Sequence, residues 1–190
     1  SSAASDVYKR QLYPVIAAAA PMMVLPEQAA SWAYPQSDMT DEETAFNINT
    51  TFLGRFFLSG YLNRMDAGQL DIVRQGVKAY RRHVQPVIGQ SVPFWPLGLP
   101  GWDDPLLAYG LDCGDTALVT VWNRGGEGGD VRLDLRRWRG RAGAVAAVYP
   151  TEGFESWPVH WDAGRGELVV RVPAGVYVSR TFEISFAPRS

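Results

Sequence analysis

Residues 37–62 encode a helix that stops at a glycine and passes at once into an apolar strand. Thr40 is placed as an N-cap, and Glu43 three positions later completes a capping box. Asp41, Glu42 and Glu43 set negative charge in the first turn, where the helix dipole favours it. Ala45, Phe46, Ile48, Phe52 and Leu53 make a broad apolar face, and Gly54 suits the position just past a helix end. Phe56, Phe57 and Leu58 then form a short apolar run closed by Ser59 and Gly60, the pattern of a buried strand. A strand-length, small-residue stretch precedes this unit at 27–34. A long helical stripe follows it: Leu70, Val73, Val77, Tyr80, Val84 and Val87 step by three or four. Asp66 is its N-cap, Gln69 takes the capping-box position, and Pro86 ends or kinks it. Strand, helix, strand, helix is the rhythm of an α/β layer or a barrel.

Past residue 92 the chain changes character. Pro93 to Trp102 is rich in proline, glycine and aromatic residues and cannot form a regular helix. Residues 93–105 read as a rigid linker whose aromatics pack across a domain boundary. A sugar-stacking platform of Phe94, Trp95 and Trp102 is the alternative. From Leu106 onward the signals are all of strands, at 106–111, 117–123, 131–135, 144–149, 167–172 and 176–186. Val131, Leu133 and Leu135 alternate with Arg132, Asp134 and Arg136, so one face is buried and one is wet. The glycine-rich residues 124–130 read as a flexible hairpin loop and residues 162–166 as a tight one. Short antiparallel strands of this kind predict a β-sandwich over 106–190. The fold class is therefore α/β plus all-β.

Charge and cysteine usage bound the function. The formal net charge is −2, which gives no nucleic-acid footprint. The basic cluster from Arg132 to Arg141 is interspersed with acidic residues and reads as a solvated strand edge. Cys113 is the single cysteine, so no intrachain disulfide forms, and the expected compartment is the cytoplasm. Residues 15–24 are apolar but too short to span a bilayer, and Pro21 interrupts them, so no membrane partner is expected. His83 and His160 are isolated, without metal-ligand spacing; neither a metal nor a cofactor is expected. Trp138, Trp157 and Trp161 raise a carbohydrate-binding surface as one reading and plain sandwich core as the other.

Residues 1–11 resemble the in-frame translation of a transposase adapter used to build sequencing libraries, and are set aside from fold reasoning. On that reading the natural sequence continues upstream of Leu12. Four stretches then carry a family resemblance: Leu12-Tyr13-Pro14 with the alanine-rich run after it, residues 25–36 around Ser31-Trp32-Ala33-Tyr34-Pro35, residues 53–60 around Phe56-Phe57-Leu58, and residues 93–102. Together they resemble the C-terminal part of the α-galactosidase-like proteins of glycoside hydrolase family 36. The resemblance covers nearly everything from Leu12 on and is strongest before Trp102.

It implies the C-terminal end of a (β/α)8 catalytic barrel over 12–92, followed by an antiparallel β-sandwich domain. Residues 27–34 would be the seventh barrel strand, 56–58 the eighth, and 67–85 the closing helix. It also implies a retaining glycosidase in which two carboxylates act on terminal α-galactosides. Both would lie upstream. Ser5-Asp6 stands near where the family carries its acid/base motif, but Val7, Tyr8 and Lys9 depart from that motif, and Asp6 is not assigned. What remains is the rim, because the C-terminal strand ends of such barrels face substrate. Ser31, Trp32 and Tyr34 after the seventh strand, with Ser59 and Gly60 after the eighth, are the candidate lining residues. The expected partner is an oligosaccharide or glycoside; assembly into a homo-oligomer is left open. The chain alone is expected to be inactive. The alternative is a non-catalytic carbohydrate-binding or structural β-sandwich protein.

Overall fold

A computed structural model describes residues 30–33, 39–53, 55–58, 66–101 and 104–189. Strand β1 (Ala30–Ala33), helix α1 (Asp41–Asn49), strand β2 (Arg55–Leu58) and helix α2 (Ala67–Ala79) follow one another as expected. The two strands pair in parallel, Ala30 opposite Arg55 and Ala33 opposite Leu58. Parallel neighbours need a crossover connection, and α1 lies within it. Thr40 caps α1, its hydroxyl accepting from the Glu43 amide at 3.2 Å. Asp66 and Gln69 close a full capping box on α2. That helix stops earlier than its apolar stripe suggests. After Ala79 it widens into a π-helical turn, Tyr80–Val84, closed by the Gln85 amide donating to the Tyr80 carbonyl. Pro86 offers no amide and crowds the carbonyl four residues back, and the wider turn ahead of it relieves that crowding.

The rest of the chain forms two antiparallel sheets. Strands β3 (Val92–Phe94), β4 (Leu106–Asp112), β5 (Thr116–Asn123), β10 (Val178–Phe186) and β7 (Gly143–Tyr149) make a five-stranded sheet in the order β3-β4-β5-β10-β7. Strands β6 (Gly129–Asp134), β9 (Glu167–Val172) and β8 (Val159–Asp162) make the second, in the order β6-β9-β8. Two expectations are corrected here. The stretch read as a linker from residue 93 begins as strand β3, paired with β4. Proline hides this strand from a sequence reading, yet an edge strand tolerates one. Residues 124–130 are not a hairpin loop, because β5 and β6 belong to different sheets; they cross between layers. Asn123 shapes that crossing, its side-chain Oδ1 accepting from the Gly125 and Gly126 amides.

The central strands of the five-stranded sheet, β4, β5 and β10, are buried on both faces. Ala117, Val119 and Val121 of β5, with Phe182, Ile184 and Phe186 of β10, pack on Val131, Leu133, Leu168, Val170 and Val172 of the three-stranded sheet. The opposite face carries Leu107, Tyr109, Leu111, Leu118, Trp122, Val148 and Tyr149, which pack on Phe46, Ile48 and Phe52 around α1 and on Ile72 and Val73 of α2. The two helices therefore sit directly on the sandwich as a third layer. Gly76 lets α2 approach so closely: a Cβ there would lie 2.9 Å from Ile48 Cγ2 and 3.3 Å from the Tyr149 ring. Gly110 does the same for the edge strand, since a Cβ would run into the ring of Phe94, its partner in the register.

Candidate functional site

Parallel pairing aligns the ends of β1 and β2. Ser31 lies opposite Phe56, Trp32 opposite Phe57, and Ala33 opposite Leu58. The chain thus leaves both strands at the same end of the ribbon, the end from which Tyr34, Ser59 and Gly60 follow in sequence. Those three residues lie outside the described residues. Among the described residues, no group of three or more His, Cys, Asp and Glu is placed to hold a metal ion, and no helix is long and apolar enough to cross a membrane.

The tryptophans of the sandwich are core. Trp138 is 1% exposed, stacks on Phe186 at 4.9 Å, and donates its indole N–H to the Gly114 carbonyl. Trp157 is buried, and Trp161 packs against the same core while donating to the Arg141 carbonyl. Phe94 faces the sandwich core beside Trp138, whereas Trp95 turns to the helix side beside Tyr109. Phe94 and Trp95 therefore tie the two cores together and do not form a platform; Trp102 lies outside the described residues.

A cleft of about 210 Å3 opens between α2 and the end of β7, lined by Lys78, Arg82, His83, Tyr149, Thr151 and Glu152 among others. Two of its polar groups, on His83 and Tyr149, are committed to structure. His83 Nδ1 lies 3.0 Å from Glu183 Oε2, both side chains about one-fifth exposed. Tyr149 donates its hydroxyl to the Ile72 carbonyl at 3.0 Å, and burial holds the phenol far above its usual range. A retaining glycosidase needs two carboxyl groups about 5–5.5 Å apart across the scissile bond. Among the described residues, Glu152 is the single carboxylate of the lining.

Beside this region, burial pushes the Cys113 thiol up to about 12, with the Asp112 and Glu183 carboxylates adding to it. The thiolate is the reactive form. Alkylation of Cys113 by iodoacetamide at pH 8 is expected to be slow in the folded protein and fast in denaturant; equal rates would contradict the geometry. The folded state favours the neutral thiol, so this contribution is fully present below the unfolded thiol's value of about 8.5 and is lost as pH rises toward 12.

A buried polar seam that sequence reasoning missed joins α1 to β10. Arg180 is 2% exposed and bonds both oxygens of Glu42, at 2.9 and 2.8 Å. Its guanidinium also donates to the Glu155 carbonyl and lies 4.9 Å from the Trp157 ring centroid. Next to it, Asn49 donates to Ser179 at 2.8 Å and accepts from Thr181 at 2.9 Å, and Thr181 meets Thr120 at 2.6 Å. More than a hundred positions separate Asn49 from Ser179 and Thr181, so nothing local in the sequence announces this seam.

No protein-family model and no curated protein matches the chain. Solved structures do resemble it. The galactosidase domain of an α-galactosidase–sucrose kinase, AgaSK, matches with a TM-score of 0.67 at 14% identity over 94% of this chain. The α-amylase of Geobacillus thermoleovorans, solved with acarbose, matches with a TM-score of 0.55 at 9% identity over 79% of this chain. The chain spans 25% of the former's length and 34% of the latter's. At such identities the likeness is one of fold: a short parallel β/α unit seated on an antiparallel sandwich.

Proposed function

We propose that this chain is the C-terminal part of a retaining glycoside hydrolase of family 36 type, acting on terminal α-galactosides. The observation that carries the reading is the fold likeness to a galactosidase domain over 94% of the chain. It coincides with the resemblance of residues 12–102 to the α-galactosidase-like proteins. The parallel β1–β2 pair supports it further, as the last two strands of a (β/α)8 barrel would be paired in this way. On this reading Ser31, Trp32, Tyr34, Ser59 and Gly60 line the rim that receives the terminal sugar. The nucleophile and the acid/base stand upstream on this reading. Trp138 and Trp157 are buried and Trp161 packs against the same core, which favours this reading over a sandwich that binds sugar by itself.

The test begins with recovery of the DNA upstream of Leu12. The extended reading frame is expected to add earlier barrel strands, one ending in a candidate nucleophilic Asp. The extended protein is expected to hydrolyse p-nitrophenyl α-galactoside with retention of anomeric configuration, followed by NMR, and the present chain to be inactive. An extended protein that leaves α-galactosides intact would sink the proposal, as would hydrolysis by the present chain alone.

A further inference from the structure

Among the described strands the sandwich has four sheet edges, and three are guarded. Strand β3 is three residues long and contains Pro93. Strand β6 carries Asp130, Arg132 and Asp134. Strand β8 is four residues long and carries His160 and Asp162. Short length, proline and charge are the ordinary means by which an edge strand avoids pairing with another chain. Strand β7 lacks all three, and its one irregularity is a bulge at Val148, near its C-terminal end, where the register to β10 shifts. It runs seven residues as Gly-Ala-Val-Ala-Ala-Val-Tyr, with neither charge nor proline. Gly143, Ala144, Ala146 and Ala147 are exposed, and among the described residues β7 pairs with β10 alone.

We propose that β7 is an assembly edge, through which two copies of this chain join antiparallel about a two-fold axis into one continuous sheet. The occupant follows from the edge itself. In a two-fold contact the same patch meets itself, so it must carry nothing that repels its own copy. The uncharged, small-residue β7 satisfies that condition. The flanks are complementary in the antiparallel sense: exposed Arg139 precedes the strand and exposed Glu152 follows it. Neither has an ion-pair partner among the described residues. Antiparallel pairing about the middle of β7 lays the Arg139 end of one protomer beside the Glu152 end of its partner. A single strand-to-strand contact lies at the small end of specific interfaces, which points to dissociation constants on the order of micromolar. The inference does not depend on the glycosidase reading.

Sedimentation equilibrium of the full chain across the micromolar range tests it. The expected result is a reversible rise from the 21.0 kDa monomer mass to twice that value. The double substitution Ala144→Lys with Ala146→Lys should hold the protein monomeric with an unchanged circular-dichroism spectrum, whereas Val92→Lys on the opposite edge should leave the dimer intact. Should the lysine variant misfold, the flank charges decide: Arg139→Glu should weaken dimerisation at least tenfold, and adding Glu152→Arg should restore it. A wild-type protein that stays monomeric throughout overturns the proposal. So does a dimer that Val92→Lys dissolves, or one that the charge swap fails to rescue.

Discussion

A chain shortened to residues 91–190 is expected to lack cooperative folding, although it retains every strand of both antiparallel sheets. Removing α1, α2 and the π turn uncovers Leu107, Tyr109, Leu111, Leu118, Trp122, Val148 and Tyr149 on one face of the five-stranded sheet. Returning a large apolar side chain to water costs about 1.5–3 kcal/mol, so these seven sum to on the order of 10–20 kcal/mol. A whole domain is stable by only about 5–15 kcal/mol. The shortened chain should aggregate or show a featureless thermal melt by circular dichroism. A sharp melt with native near-ultraviolet signal would mean that the sandwich is independent of its helical layer. The same core makes the complementary piece, residues 12–90, unstable alone, since Phe46, Ile48, Phe52, Ile72 and Val73 bury themselves against the sheet.

The second large effect is expected at Arg180. Arg180→Ala breaks a buried pair, strips the Glu155 carbonyl of its donor, and empties the space beside Trp157. Losing one member of such a pair costs about 3–5 kcal/mol. Glu42→Gln should also destabilise, because it leaves the buried Arg180 guanidinium without its counter-charge, although the amide oxygen can still accept one of the two bonds. Urea denaturation of both single variants and the double variant would measure the coupling. A loss under about 1 kcal/mol for Arg180→Ala would show that the pair contributes little beyond its own desolvation. Substituting Arg180 by Met together with Glu42 by Leu should be milder than Arg180→Ala, since no charge is then left without a partner.

Much of this architecture is legible in the sequence because it rests on local signals. The caps at Thr40 and Asp66 and the β6 alternation appear where local signals place them. Helix α1, however, ends at Asn49, so Phe52 and Leu53 are buried from the turn after it, and Thr44, Asn47 and Asn49 are buried with its apolar residues. What escaped depends on long-range geometry. Strands β4 and β5 read as ordinary sandwich strands, yet their near-continuous apolar runs are the mark of burial on both faces, here under helices. A seven-residue glycine-rich loop looks the same whether it returns a hairpin or crosses between sheets. Strand β8 is short and polar enough to pass for a loop. Of the candidate rim, the register places Ser31 and Trp32 on the strand that pairs with β2. No periodicity links Glu42 to Arg180 across 138 positions.

The hydroxyl and amide seam among Asn49, Thr120, Ser179 and Thr181 also bears on how this protein can diverge. Each of these side chains is essentially buried, and the partners of each lie within the group. A drift at one position to an apolar residue leaves the others with unmet bonds, which is worse than losing the whole set. Relatives should therefore keep the quartet intact or replace it wholesale, and those four positions should covary as a block while the apolar residues around them exchange freely.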